Sequence, residues 1–137
     1  MLAVRFFGVG LAMICGLPLW AGCLSKIDPR EVPGTYAVRY PYGVEKLKIN
    51  HDGTYEQLFG PNEQALKPIN KGNWEVRTQD ELQLIVNNPV IVDDGFGKKS
   101  QMKQSSGYWP LRIKQGLLGQ IRLPVNEDLG FVFKKVR

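Results

Sequence analysis

Between residues 34 and 59 the chain alternates apolar and polar residues in short runs joined only by PYG and HDG. No other feature restricts the fold so strongly. In GTYAVRY (34–40), Tyr36, Val38 and Tyr40 share one face. VEKLKIN (44–50) sets Leu47 and Ile49 opposite Lys46 and Lys48, and TYEQLF (54–59) aligns Tyr55, Gln57 and Phe59. A period of two belongs to a strand, whose successive side chains point to opposite faces. Links this short leave no room for a crossover, and Asp52-Gly53 is a strong hairpin pair. Consecutive runs must therefore pair antiparallel, with one face turned inward.

The same grammar continues. Residues 60–71 hold Pro61 and Pro68 and read as a longer connection. GNWEVRT (72–78) places Trp74 and Val76 in phase. LQLIVNNPVIV (82–92) reads either as one long strand broken at Pro89 or as two short ones, because proline cannot donate to a ladder. Residues 93–107 are polar, Gly-rich and long, and read as a loop. Three further runs, 108–114, 119–125 and 130–136, end the chain. The expected fold is all-β: an up-and-down antiparallel meander of about eight strands over residues 34–137. In a chain this small, such a meander most simply closes into a barrel, which removes exposed edges. A strongly bent sheet or a two-sheet sandwich is the nearest rival.

The first residues obey a different rule. Arg5 and the amino terminus precede an almost wholly apolar stretch, 6–20, followed by the small Ala21 and Gly22 and then Cys23. A positive start, a short apolar run and small residues at a cut point make a secretory signal, here expected as a helix over 1–22. The apolar run is short for a membrane span, which needs roughly 20 residues. Residues 23–33, with Pro29 and Pro33, read as a tether.

Ala21, Gly22 and Cys23 resemble the lipobox of bacterial lipoproteins, with Trp20 standing where the family usually has Leu. The resemblance implies cleavage between Gly22 and Cys23 and lipidation of Cys23, on the thiol and on the new amino terminus. An ordinary cleaved signal or an uncleaved anchor, with Cys23 incidental, is the alternative. Leu24 follows the cysteine, where Asp would favour inner-membrane retention in enteric-type lipoproteins. The implied location is the cell envelope, at the outer membrane facing the periplasm. A second resemblance spans most of 34–136. GTY, GNW, DGTYEQ (52–57) and FVFKKV (131–136) are similar to strand phrases of small lipoproteins with lipocalin-like barrels. In lipocalins the Trp lies in the first strand, where this chain has Tyr36, while Trp74 comes midway.

Composition narrows the function. Of the two cysteines, Cys15 leaves with the signal and Cys23 is taken by lipid, so the mature domain must stand on its core without a disulfide. Net charge is +5, and +4 once Arg5 is gone. A cationic excess fits an acidic envelope surface, or merely soluble strand edges. No nucleic-acid motif is present. Neither are a Cys/His zinc cluster, a Gly-Lys-Ser/Thr phosphate loop and a Gly-x-Ser-x-Gly elbow, so no catalytic residue, metal or cofactor is expected. His51 reads as an exposed turn residue. Asp93 and Asp94, beside Gly95 and Gly97, do not have the spacing of a calcium loop. The aromatics either fill the core or line a cavity for a small apolar ligand. The candidate recognition element is 93–107, with Phe96, Lys98, Lys99 and Lys103. The expected function is a non-enzymatic envelope lipoprotein whose barrel binds an envelope protein or acidic polymer. A carrier of a small apolar ligand and a hydrolase built from scattered carboxylates are the alternatives.

Overall fold

The computed structural model describes residues 27–136. The expected signal helix, the expected cleavage after Gly22 and the expected lipidation of Cys23 all fall outside them. The strands are β1 (Gly34–Tyr40), β2 (Gly43–Ile49), β3 (Thr54–Gly60), β4 (Lys67–Gln79), β5 (Glu81–Asn87), β6 (Val90–Asp93), β7 (Ser100–Gln104), β8 (Tyr108–Arg112), β9 (Lys114–Gln115), β10 (Ile121–Asn126) and β11 (Phe131–Lys135). Nine of these form one sheet in the order β8-β5-β4-β3-β2-β1-β11-β10-β9, and β6 pairs with β7 alone. Every pairing is antiparallel.

The two outer strands of that order, β8 and β9, are neighbours in sequence, separated only by Ile113. One continuous segment thus pairs with β5 over its first part and with β10 over its second. At the bend, Ile113 N–H donates to the Leu82 carbonyl at 2.9 Å. The bend brings the sheet almost to closure, so the all-β barrel expected from the sequence is present.

The inward phase is the one read from the alternation. Tyr36, Leu47, Tyr55, Leu84, Val86, Leu111, Leu123 and Phe133 are fully buried, and side chains fill the barrel axis. Trp74 and Val76 pack half-buried against this core. Upstream, residues 27–33 fold onto the barrel: Pro29–Glu31 make a 3₁₀ turn capped by Asp28, and buried Val32 accepts the Tyr36 hydroxyl proton on its carbonyl.

Residues 27–33 pack on the barrel where the sequence predicts a tether, and 60–71 and 93–107 also differ from the sequence reading, while 82–92 takes its two-strand alternative. The connection 60–71 is shorter than expected, because β4 begins at Lys67. Pro68 is tolerated there since it faces Leu58 where the β3–β4 register shifts, so no regular ladder bond needs its missing N–H. Pro89 does split 82–92, and Asn88, with φ +50°, turns β6 out of the sheet. The supposed loop 93–107 contains β7, which folds back on β6. Its polar composition hid it, since every residue of β7 is exposed and no apolar alternation marks it.

Chain direction defines two ends. The chain enters the barrel where β1 begins. The β1–β2 turn at 41–42 and the β10–β11 turn at 127–130 lie at the opposite, far end.

Candidate functional site

The β6–β7 hairpin has no backbone ladder to the nine-stranded sheet. Side chains seat it instead, and they are polar ones placed in the apolar phase of their strands. Glu45 shares the inward face with Leu47 and Ile49, and Gln57 shares that of Tyr55; both are 0 % exposed. Gln57 mimics a strand partner: its Oε1 accepts from Val90 N–H at 2.8 Å while its Nε2 donates to the Val90 carbonyl at 3.0 Å. The same Nε2 donates to Glu45 Oε1 at 2.9 Å, and the Tyr40 hydroxyl donates to Glu45 Oε2 at 2.9 Å.

A second layer closes the hairpin's base. Tyr55 donates to the Asn87 carbonyl at 2.6 Å. Asn70 Nδ2 lies 3.0 Å from Gln57 Oε1, 3.0 Å from the Tyr55 hydroxyl and 2.8 Å from the Asn88 carbonyl. Gln104 Nε2, from β7, reaches the same Asn88 carbonyl at 2.8 Å. At the far end, Tyr42 donates to Asp93 Oδ1 at 2.6 Å and stacks on Tyr40 with ring centroids 5.1 Å apart. Gly72 lets β4 approach this layer, since a Cβ there would sit 2.7 Å from the Tyr55 ring and 3.0 Å from the Asn87 carbonyl.

Electrostatics follow from burial without a cation. Removal from water pushes the Glu45 carboxyl up to about 7, against the opposing pull of the Gln57 and Tyr40 hydrogen bonds. Burial, then the nearby carboxylates, drives Tyr40 and Tyr42 far above the usual phenol range. Burial likewise pushes Tyr55 up to about 12, although the Asn70 hydrogen bond works the other way. Each hydroxyl in the seat therefore stays a proton donor at any physiological pH.

The hairpin tip is built by its own acids. Asp93 Oδ2 accepts from Gly95 N–H at 2.8 Å, and Asp94 Oδ1 accepts from Phe96 N–H at 2.9 Å and Lys98 N–H at 3.3 Å. These carboxylates thus hold turn backbone. Among the described residues, no group of three His, Cys, Asp or Glu side chains is placed to hold a metal ion. Phe96 is 74 % exposed, and Lys98, Lys99 and Lys103 all face solvent. Phe96, Lys98 and Lys99 come together at the tip, while Lys103 stands apart on β7 opposite Ile91. His51 is exposed in the β2–β3 turn, at the other end of the barrel.

The sequence reading did not single out the seat, Glu45, Gln57, Asn70, Tyr40 and Tyr42. Its signal was nonetheless present: a polar residue sitting in phase with buried apolar neighbours of the same strand. Comparison of the chain with protein-family models, with curated proteins and with solved structures returns no match.

Proposed function

We propose that this chain is a lipid-anchored envelope lipoprotein, without catalytic activity, whose barrel presents the β6–β7 hairpin to an acidic component of the envelope. The seated hairpin is the observation that carries this reading. Its base and flank are fixed by buried hydrogen bonds, while its tip offers one exposed aromatic ring beside two lysines. A rigid stem under an aromatic and cationic tip suits recognition of an anionic partner, because little ordering entropy remains to be lost on binding.

The interior supports this reading over a carrier. Eight large side chains with essentially no exposure occupy the axis where a ligand would lie. The seat supports it over a hydrolase. Glu45 has a raised pKa of the kind a catalytic acid needs, but it is 0 % exposed and its carboxyl oxygens are engaged by Gln57 and Tyr40, so a substrate has no path to it.

The test is a photo-crosslinking amino acid at Phe96, with the same group at Lys48 on the outer wall of β2 as control, in envelope membranes. A discrete product from position 96, absent from 48 and lost on reversing Lys98 and Lys99 to Glu, is expected. Equal labelling from both positions, or none from 96, overturns the reading. The anchor is checked in the same preparation by the mass of the amino-terminal peptide, which should begin at an acylated Cys23.

A further inference from the structure

Leu117 and Leu118 form the tip of the turn between β9 and β10, and both side chains stand out in solvent, Leu118 92 % exposed and Leu117 completely. Isolated exposed leucines are ordinary, but two adjacent ones at a tip the backbone holds rigid form a wedge. Gly116 N–H donates to the Gln120 carbonyl at 2.8 Å and Gly119 N–H to the Gly116 carbonyl at 3.0 Å. Leu118 N–H donates to Gln120 Oε1 at 3.1 Å, and Gln115 Nε2 to the Gly119 carbonyl at 3.2 Å. Gly119 supplies the left-handed φ of +82° that the turn needs. None of these bonds uses a leucine side chain, so the pair is displayed by the turn and contributes nothing to its formation.

Position gives the wedge an occupant. β10 leaves this turn and runs to the far end, where the 127–130 turn abuts the hairpin tip; a Cβ at Gly97 would lie 2.9 Å from the Phe131 ring. The leucines are therefore at the entry end, opposite the basic tip. Ile27 and Pro29 share a depression with Leu82 and with Gln115, the last residue of β9; its rim also carries Thr78, Asp80 and Glu81, the last paired with Arg112. Cys23 precedes Ile27 by four residues, a reach of about 14 Å at full extension. On the lipid-anchor reading, the acyl chains of Cys23 would enter the bilayer within that reach of Ile27. Charge agrees. Arg122, near the start of β10, faces Lys114 on β9 and Lys134 on β11 in register. Lys114 pairs with Glu127, while Arg122, half-buried with its Nε shielded from water and without a hydrogen-bond partner among the described residues, lies beside exposed Lys134. Like charges opposed across strands are unfavourable unless something anionic faces them, and a headgroup layer does.

We infer that the 116–119 turn is a second membrane contact, in which Leu117 and Leu118 dip into the leaflet that holds the anchor while Arg122 and Lys134 meet its headgroups. This rests on the lipid-anchor reading above. With a tether alone the barrel would tumble. With the wedge seated it stands upright, and the β6–β7 tip points away from the membrane.

The test uses the mature acylated protein in vesicles of phosphatidylethanolamine and phosphatidylglycerol. With Cys15 removed and Cys23 acylated, Leu117→Cys gives one thiol for an environment-sensitive fluorophore. Blue-shifted emission at 117, quenched severalfold more by brominated lipid than the same probe at Phe96→Cys, is expected. Leu117→Ser/Leu118→Ser should leave the melting midpoint unchanged and bring the probe at 96 within reach of the quencher. A water-like, unquenched probe at 117 in protein whose acyl mass is confirmed overturns the wedge. So does a blue shift that lipid quenchers do not touch, which means the turn packs against its own chain. A missing acyl mass overturns the anchor reading itself.

Discussion

At the scale of the residue, Glu45 sets the pH behaviour. Its carboxyl is raised from 4.5 to about 7 in the folded chain by burial. Between those values the folded state binds the proton that the unfolded state has released, so stability falls as pH rises. The contribution is complete below about pH 4.5 and is lost above about pH 7, a change of roughly 3 kcal/mol. Glu45→Gln, a neutral carboxamide of the same shape, should remove this dependence. Urea unfolding across pH 4.5 to 8 should find the variant equal to wild type at the acid end and more stable by about 3 kcal/mol at the alkaline end. Equal stabilities throughout would mean the carboxylate is solvated in the folded state. Glu45 was legible only in part. Its phase with Leu47 and Ile49 placed it inward, but an inward acid has meaning only once its partners are known. Those partners, Tyr40 and Gln57, come from different strands.

Among elements, the β6–β7 hairpin is the one that local pattern could not yield. β1 to β3 were readable because their turns are only two and four residues long and their inner faces are largely apolar. β7 has no buried residue, so its pairing depends on β6 rather than on its own sequence. What docks the hairpin is Gln57, 33 residues from Val90 in sequence. Gln57→Leu keeps the volume but leaves Val90 N–H and C=O buried without those bonds, each at a cost of about 1 to 3 kcal/mol. The expected result is local: amide exchange at Val90 and along β7 should accelerate far more than at Leu47 or Phe133, as when one cooperative unit opens by itself. Uniform acceleration would show that hairpin and barrel unfold as one piece.

For the whole molecule, stability rests on a filled axis and on closure. Phe133 is fully buried and meets Trp109 edge-on across the β8–β10 seam, with ring centroids 6.2 Å apart. Phe133→Ala should destabilise by about 3 to 5 kcal/mol, the range for a core aromatic, and a shift of the melting midpoint by less than a degree or two would contradict its place in the core. The barrel was legible because a meander of short-linked strands has few other ways to hide its edges. The bend at Ile113 was not, because a segment that changes partners halfway carries the same alternation as one that does not.

The pairing of β1 with β11 has one more consequence. The two ends of the described chain lie on adjacent strands, with Val136 N–H donating to the Thr35 carbonyl at 2.8 Å. Topologically the barrel is a ring that happens to be opened between these strands. A circular permutant, with 136 joined to 27 by a short linker and a new opening at 127–130, would keep every strand pairing. It would also carry any amino-terminal attachment to the opposite rim, upside down relative to the natural molecule. Which rim faces the tether is thus decided by where the ring is cut, and the same set of strands could serve either polarity.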